Sequence, residues 1–233
     1  MMNSQTYKSV DELVWFGDSW PAGIGISNTK LSFPYLVGNS LDIHTLNYAN
    51  AGSSIPDMVQ QVIRWRNYDY DSSKNCILIA CLTSENRFSW KPDNNDHWFT
   101  IAPWAIDKSY VFNENVQKFY KYSYNQEAVE FYNKCCVGYL KNLCNEINVP
   151  LYLLRNFKGM EEEHRSHSLL DIGLVQFLLD DLNAEWSVNL KNQIITNVVG
   201  KGLFTKCVHP NIHGHKKIAN ILTDKLRGIT KTN

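Results

Sequence analysis

The sequence lacks an excess of charge of either sign. Its 233 residues contain 23 lysines and arginines and 23 aspartates and glutamates, which gives a formal net charge of +0. A protein that holds a nucleic-acid backbone needs a clear basic excess, so this balance argues against nucleic acid as a partner. The length is sufficient for one domain with a large hydrophobic core.

Long apolar runs are also absent. No segment approaches the roughly 20 consecutive apolar residues that a membrane-spanning helix requires, so we expect no membrane span. Residues 1–11 are polar and lack the apolar stretch of a secretory signal. We therefore expect a cytoplasmic protein, or one that is exported by a non-classical route.

Cysteine pairs of the C-x-x-C type, which bind metals or carry out redox chemistry, are missing. The six cysteines that are present mostly lie inside apolar stretches, which is typical of buried reduced thiols. A disulfide framework is not expected in a chain of this length with so much apolar core.

The sequence does contain an alternation of apolar runs and amphipathic segments. Short apolar runs predict four strands, at residues 13–16, 44–49, 76–82 and 149–154. Apolar residues at helical spacing predict three helices, at 57–65, 125–147 and 215–226. This alternation predicts an α/β fold with a central parallel sheet and helices on both faces. In such sheets ligands bind outside the carboxyl ends of the strands, so functional residues should directly follow strands.

Two long segments interrupt the alternation, residues 88–124, which are rich in aromatic side chains, and residues 161–193. Loops of this length in a compact domain often have a function. We interpret both as inserts in a single domain that spans residues 1–233. The aromatic insert could fill the core, or it could stack on a sugar ring or an acyl chain.

Gly17-Asp18-Ser19 follows the first predicted strand. A glycine allows the backbone to turn sharply there, and the N–H groups that open a following helix can bind a developing negative charge. Serine alone is a weak nucleophile and needs a base within hydrogen-bond reach. Without such a base, Ser19 would more simply be a helix N-cap.

A candidate base is found near the other end of the sequence. His209-Pro210-Asn211 precedes the last predicted helix, and the proline fixes the backbone beside the histidine. Histidine suits a general base because its unperturbed pKa lies near neutrality. His209, His213 and His215 could also bind a metal, but no Glu-x-x-His motif or cysteine pair accompanies them. We therefore expect no metal and no organic cofactor.

Together, the two motifs resemble those of the SGNH, or GDSL, hydrolase family. That family has a GDS block near the N-terminus and a DxxHPNxxGH-like block near the C-terminus. Gly17-Asp18-Ser19 matches the first block, and residues 209–215 match most of the second. The resemblance spans nearly the whole chain and implies a flavodoxin-like three-layer α/β/α sandwich. It also implies a serine hydrolase in which Ser19 attacks an ester to form an acyl-enzyme and His209 takes its proton.

The resemblance further implies an oxyanion hole. The second family block points to the backbone N–H of Gly52, which would act with the N–H of Ser19. The third block, usually GxND, is poorly matched after the third strand, where strict register places Ser84 at the asparagine position. A shift of two residues offers Asn86, which we prefer because amide geometry suits the role. Arg87 could bind a substrate carboxylate or an oxyanion, or it could form a structural ion pair.

The main departure from the family concerns the acid that supports the base. The family places an aspartate three residues before the histidine, and here that position is Lys206, which cannot accept the imidazole N–H. A Ser19–His209 dyad could rely on a backbone carbonyl, an acid such as Asp180 or Asp181 could come from elsewhere, or activity could be lost. The sequence predicts an esterase, acting on a small ester or an acylated carbohydrate. The alternative is an inactive module on the same scaffold that binds carbohydrate or a protein partner.

Overall fold

The computed structural model describes residues 9–84, 87–90, 99–101, 118–157, 162–180, 202–205 and 209–230. Its centre is a parallel sheet with the strand order β2-β1-β3-β6, formed by β1 (Glu12–Gly17), β2 (His44–Asn47), β3 (Cys76–Leu82) and β6 (Leu151–Arg155). Two short strands, β4 (Phe88–Trp90) and β5 (Phe99–Ile101), form a separate antiparallel pair. In the parallel sheet, the second strand along the chain lies beside the first, followed by the third and the fourth, which is the order found in flavodoxin-like sheets.

Five α-helices accompany these strands in the described ranges: α1 (Phe33–Leu41), α2 (Ile55–Tyr68), α3 (Gln126–Glu146), α4 (Leu174–Asp180) and α5 (Ile212–Thr230). Shorter helical turns lie at Thr29–Leu31, Phe119–Ser123 and Glu162–His167. No helix in this part of the chain is long and apolar enough to cross a membrane.

The helices cover both faces of the sheet and complete three layers. In β1, Leu13 and Trp15 pack against α1, α4 and α5, whereas Val14 and Phe16 pack against α2 and α3. Side chains alternate between the two faces of a strand, so burial on both faces requires a continuous apolar run. The predicted α/β sandwich with a central parallel sheet is therefore confirmed.

The predicted elements agree with the structure best where apolar patterning is strongest. Strand β3 has the predicted bounds, and β1, β6 and α3 differ from the prediction by one or two residues at their ends. Helix α2 begins at Ile55, before the predicted start, because Ser54 and Asp57 form a capping box there. Helix α4 lies within the segment 161–193 that is interpreted as an insert, and its leucines pack in the core with α1 and α5.

Helix α1 is not predicted by the sequence, because Pro34 and Gly38 weaken its helical pattern. Pro34 lies in the first turn, where a proline is tolerated. A side chain at position 38 would place its Cβ 1.8 Å from Thr45 Oγ1, so glycine is required for α1 to lie against β2. This close approach places α1 against β2, the strand at one edge of the sheet.

Candidate active site

The carboxyl ends of the four parallel strands meet at one edge of the sheet and bring distant residues together. Ser19 follows β1, and the turn that contains Gly52 follows β2. Arg87 follows β3, and Asn156 follows β6. This is the edge at which ligands bind in doubly wound sheets.

Ser19 and His209 are in direct contact at this edge. His209 Nε2 lies 2.9 Å from Ser19 Oγ, although the two residues are 190 positions apart in the sequence. Ser19 is 5% exposed, so its hydroxyl is largely shielded from water. The distance is that of a hydrogen bond between a nucleophile and its general base.

The loop after Ser19 is a series of irregular turns, so Ser19 is not the helix N-cap considered as its alternative role. Ile24 N donates to Ser19 O, and Gly23 N donates to Trp20 O, so the hydrogen-bond spacing changes from residue to residue. Gly23 and Gly25 have φ angles of +81° and +102°, which a right-handed helix does not accommodate. Regular α-helix begins only at α1.

The buried carboxylate of Asp18 holds this loop through hydrogen bonds. The residue is fully buried, and its Oδ1 accepts hydrogen bonds from Trp20 N at 3.1 Å and Asn156 Nδ2 at 2.8 Å. Its Oδ2 accepts from Thr83 Oγ1 at 2.6 Å and from Arg87 NH1 at 3.0 Å. A buried carboxylate is tolerated when it is paired and hydrogen-bonded in this way. The arrangement corresponds to the structural ion pair considered for Arg87.

Gln61 of α2 holds the residue at the end of β1. Its Oε1 accepts from Gly17 N at 3.0 Å, and its Nε2 donates to Gly17 O at 3.1 Å and to Ser53 Oγ at 2.9 Å. A Cβ at Gly17 would lie 2.7 Å from Pro21 Cγ, so the turn into the loop requires glycine. Gln61 thus binds both backbone polar groups of Gly17, the residue at which the sharp turn before Ser19 begins.

His209 is held by a short antiparallel bridge between the backbone at 202–205 and at 209–211. Thr205 N donates to His209 O at 2.8 Å, and Asn211 N donates to Leu203 O at 2.9 Å. Asn211 Oδ1 accepts from the N–H groups of His213 and Gly214 at the start of α5. The Asn211 side chain therefore caps α5, and the cap fixes the position of Asn211 close to His209.

Gly214 and His215, the last two residues of the HPNxxGH motif, have structural roles. A Cβ at Gly214 would lie 2.4 Å from Leu203 O, so only glycine lets the bridge approach α5 this closely. His215 is fully buried, and its Nδ1 accepts from the N–H of Phe33 at the start of α1. Burial, with a smaller contribution from the charge of His209, lowers the pKa of His215 to about 4.

The candidate metal ligands do not assemble into a site. Only His209 reaches Ser19, whereas His213 is exposed and His215 faces α1. Among the described residues, no group of three histidine, cysteine, aspartate or glutamate side chains could hold a metal ion.

The predicted oxyanion residues are described in part. Gly52 has a φ angle of +85° and lies in the turn closed by Ser53 N and Asn50 O at 3.2 Å. A Cβ at Gly52 would meet none of the described residues within 4 Å, so as far as these residues extend the space beside this turn is open. Ser84 is half-buried just beyond β3. Asn86 lies outside the described residues.

The three residues considered for the group beside His209 are Asp180 and Asp181, at the end of α4 and directly after it in the sequence, and Lys206. Lys206 and Asp181 lie outside the described residues. Asp180 is the last residue of α4, and its side chain is not among those described. The prediction that a group other than residue 206 supports His209 stays a prediction.

Asn156 and Gln61 are not predicted as site residues by the sequence motifs, although the position of each carries a signal. Asn156 directly follows a buried strand, which is the position where functional residues were expected. Gln61 lies on the same stripe of α2 as the buried residues Met58, Val62 and Trp65. A polar side chain within an apolar stripe indicates a specific buried partner.

Cys81 lies beside this site but does not compete with Ser19 as a nucleophile. A Cβ placed at Gly17 would lie 3.0 Å from Cys81 Cβ, and Cys81 is fully buried near the end of β3. Burial raises the pKa of the Cys81 thiol well above its usual value, and the charge of Asp18 adds to the effect. The thiol is therefore protonated at neutral pH, and a protonated thiol is unreactive.

Known proteins resemble this chain in structure rather than in sequence. No protein-family model and no curated protein matches the sequence. A carbohydrate esterase, whose active site is described as displaying "divergent catalytic and non-catalytic binding functions", matches with a TM-score of 0.51 and 14% identity over 95% of this chain and 70% of its own. This likeness shows a shared fold.

Two further solved structures are similar over nearly their whole length. A lipolytic protein of the G-D-S-L family from Desulfitobacterium hafniense DCB-2 has a TM-score of 0.47 and 13% identity, over 92% of this chain and 98% of its own. The psychrotrophic esterase EstA from Pseudoalteromonas sp. has a TM-score of 0.48 and 12% identity, over 94% and 98% respectively.

Proposed function

We propose that this chain is a serine hydrolase that cleaves carboxylic esters through an acyl-enzyme on Ser19. The observation that carries the proposal is the 2.9 Å contact between Ser19 Oγ and His209 Nε2. Ser19 Oγ attacks the acyl carbon while His209 Nε2 takes the proton and then gives it to the leaving alcohol oxygen. A water molecule, deprotonated by His209, then releases the acyl group as a carboxylic acid.

The oxyanion of this reaction would be held by backbone N–H groups of Ser19 and Gly52 and by the side chain of Asn86, with Ser84 as the alternative. Support for Gly52 comes from its turn, which follows β2 at the same sheet edge and is hydrogen-bonded to Gly17 through Asn50 N at 3.0 Å. The open space beside Gly52 leaves room for a substrate. Oxyanion donors of this kind contribute strongly because they are fixed before the charge develops.

The base would act without an aspartate three residues before it, because that position is Lys206. We propose that Ser19 and His209 act as a dyad in which an acceptor other than residue 206 orients the imidazole. The backbone bridge at 202–205 and 209–211 already restricts the position of His209. A fixed backbone supplies part of the orientation that an acid provides in a triad.

The substrate class proposed is a small ester or an acylated carbohydrate. The carbohydrate esterase that shares this fold supports the second possibility. The aromatic segment at 88–124 suits either one, because aromatic rings stack on sugars and pack on acyl chains.

A fluorophosphonate probe tests the proposal, because it labels only an activated serine. The wild-type protein should be labelled and should hydrolyse short p-nitrophenyl esters, and Ser19→Ala should do neither. Equal labelling of both proteins would remove Ser19 from the mechanism.

The second candidate is a catalytically inactive module that binds carbohydrate or a protein partner. Lys206 in the acid position favours it, and the related carbohydrate esterase combines catalytic with non-catalytic binding functions. A folded wild-type protein that resists the probe but binds an oligosaccharide in calorimetry would establish this alternative.

A further inference from the structure

Arg87 connects the two loops that the proposed reaction uses. Its NH1 atom donates to Asp18 Oδ2 at 3.0 Å and to the backbone oxygen of Ser53 at 2.8 Å. Asp18 immediately precedes Ser19, and Ser53 immediately follows Gly52. One nitrogen atom therefore links the neighbour of the nucleophile to the neighbour of the proposed oxyanion donor.

The Asp18 end of this link is rigid. Asp18 is fully buried and the Arg87 side chain is 10% exposed, so their charges interact with little screening by water. Trp20 N and Asn156 Nδ2 hold the other carboxylate oxygen, which prevents the group from rotating. Charge-assisted hydrogen bonds in such surroundings are short and directional.

The Ser53 end of the link belongs to the Gly52 turn, which the hydrogen bond from Ser53 N to Asn50 O closes. Gly52 is exposed, and no described residue lies within 4 Å of the position that its Cβ would occupy. The turn is held at its ends, by Asn50 N on Gly17 O and by the bonds of Ser53 to Arg87 and Gln61. The direction of the Gly52 N–H therefore depends on these end contacts.

We infer that Arg87 is a positioning residue that keeps the Gly52 turn aligned with the Ser19 loop during ester hydrolysis. The inference rests on the proposed function and assigns Arg87 a role through its bonds to Asp18 and Ser53. Loss of the link moves the oxyanion donor, but it leaves the Ser19–His209 hydrogen bond in place. The transition state is then stabilised less, whereas binding of the ground-state ester changes little.

The experiment compares Arg87→Gln with wild type in the full chain, by steady-state kinetics on p-nitrophenyl acetate and by the rate of fluorophosphonate labelling. We expect kcat to fall about 10²-fold with KM within about threefold, as for the loss of one oxyanion donor. The labelling rate should fall by the same factor as kcat/KM, because attack on phosphorus also creates an oxyanion. Arg87→Lys keeps the charge with a shorter reach, and it should recover about tenfold of the lost kcat.

Arg66→Gln is the matched control. Arg66 pairs with Glu146 at 3.6 Å between α2 and α3, and both side chains are substantially exposed. Its removal deletes an arginine from an ion pair of α2 without touching the sheet edge, so kcat should equal that of wild type. A fall in kcat in Arg66→Gln as large as in Arg87→Gln would overturn the inference.

A buried Asp18 without its cation could prevent folding of Arg87→Gln, so a second variant accompanies it. Asp18→Asn combined with Arg87→Gln removes both charges, and its fold is checked by circular dichroism. A folded single or double variant with kcat near wild type overturns the inference, and a folded variant with the 10²-fold loss supports it. If the wild type and Arg66→Gln are both inert towards ester and probe, the proposed function fails and this inference fails with it.

Discussion

Ser19, the proposed nucleophile, and His209, the proposed base, are held in different ways. Asp18, next to Ser19, is fully buried and accepts hydrogen bonds from side chains that follow two other strands. His209 lies in a backbone bridge of a few residues, beside a helix that Asn211 caps. Side chains from distant parts of the chain thus fix the nucleophile, whereas local backbone hydrogen bonds fix the base.

This difference indicates which half of the site is more easily disturbed. A buried charged network is rigid, and it loses several interactions at once when one member is removed. A short bridge beside a helix terminus opens at a lower free energy. We therefore expect heat, acid and single substitutions to displace His209 before they displace Ser19.

The largest expected effect comes from removing Ser19, His209 or both, which tests whether the two side chains act as one unit. Ser19→Ala and His209→Ala should each lower kcat on p-nitrophenyl esters by as much as about 10⁶-fold, and the double variant should lose little more. Additive losses would show that the two residues act independently. His213→Ala is the control, because this exposed side chain does not reach Ser19.

Acid should lower the free energy of unfolding through His215, which lies in the same motif as the proposed base His209. Its pKa in the folded protein is about 4, below the usual 6.5, so the unfolded chain binds more protons between these values. The contribution of neutral His215 is complete above about pH 6.5 and is lost as the pH falls towards 4, because the protonated ring cannot accept from Phe33 N. Between pH 7 and about pH 4.5, the loss is about 2–3 kcal/mol.

Denaturant unfolding at several pH values measures this effect. His215→Gln keeps an acceptor for Phe33 N but does not titrate, so its free energy of unfolding should fall less steeply with acid than that of wild type. Parallel curves for the two proteins would exclude His215 as the source of the pH dependence.

Gly25→Ala tests the contact between the two parts of the site, because Gly25 belongs to the loop after Ser19 and lies against His209. A Cβ there would lie 3.1 Å from His209 Cβ and 3.2 Å from Pro210 O, at a φ angle of +102°. Displacement of His209 by about 1 Å would lower kcat about 10²-fold.

Gly202→Ala controls for backbone strain, since Gly202 has a φ angle of +86° but no described residue within 4 Å of the position of an added Cβ. Both substitutions should cost stability, and only Gly25→Ala should lower the kcat of the folded protein. Equal kcat values in the two variants would show that the contact at Gly25 does not position the base.

The smallest expected effect concerns the caps of two helices. Asn211 Oδ1 accepts from N–H groups at the start of α5, and Asn125 Oδ1 accepts from Ala128 N at the start of α3. Asn211→Ala and Asn125→Ala should each lower the free energy of unfolding by about 1 kcal/mol. Only Asn211→Ala should also lower kcat, because Asn211 holds the backbone beside His209. Unchanged kcat in both variants would mean that this cap acts on stability alone.

The sequence predicts those features of the fold that depend on local patterning. Strand β3 is recognisable because every residue from Cys76 to Leu82 is apolar, and α3 because its apolar residues recur at helical spacing. Ser19 and His209 are identified by motifs whose flanking residues, such as Pro210, constrain the local backbone. In each case the decisive information lies within a few residues.

The remaining features depend on contacts between distant residues. The pairing of Arg87 with Asp18 joins the ends of two strands, and the sequence alone allowed Arg87 a ligand-binding role as readily. Helix α1 depends on the close approach of Gly38 to Thr45, which only the assembled sheet defines. Local patterns do not encode which side chains meet across a sheet edge, so these features require the structure.

The HPNxxGH motif consists mainly of residues that hold one reactive group in place. Asn211 caps a helix, Gly214 admits the carbonyl of Leu203, and His215 caps α1, whereas His209 alone contacts the nucleophile. Selection for a stable fold would preserve the first three residues even in a protein that had lost its chemistry. A descendant without activity should therefore retain most of the motif, so recognition of the motif identifies the scaffold, and the pair Ser19 and His209 must be examined separately to identify an enzyme.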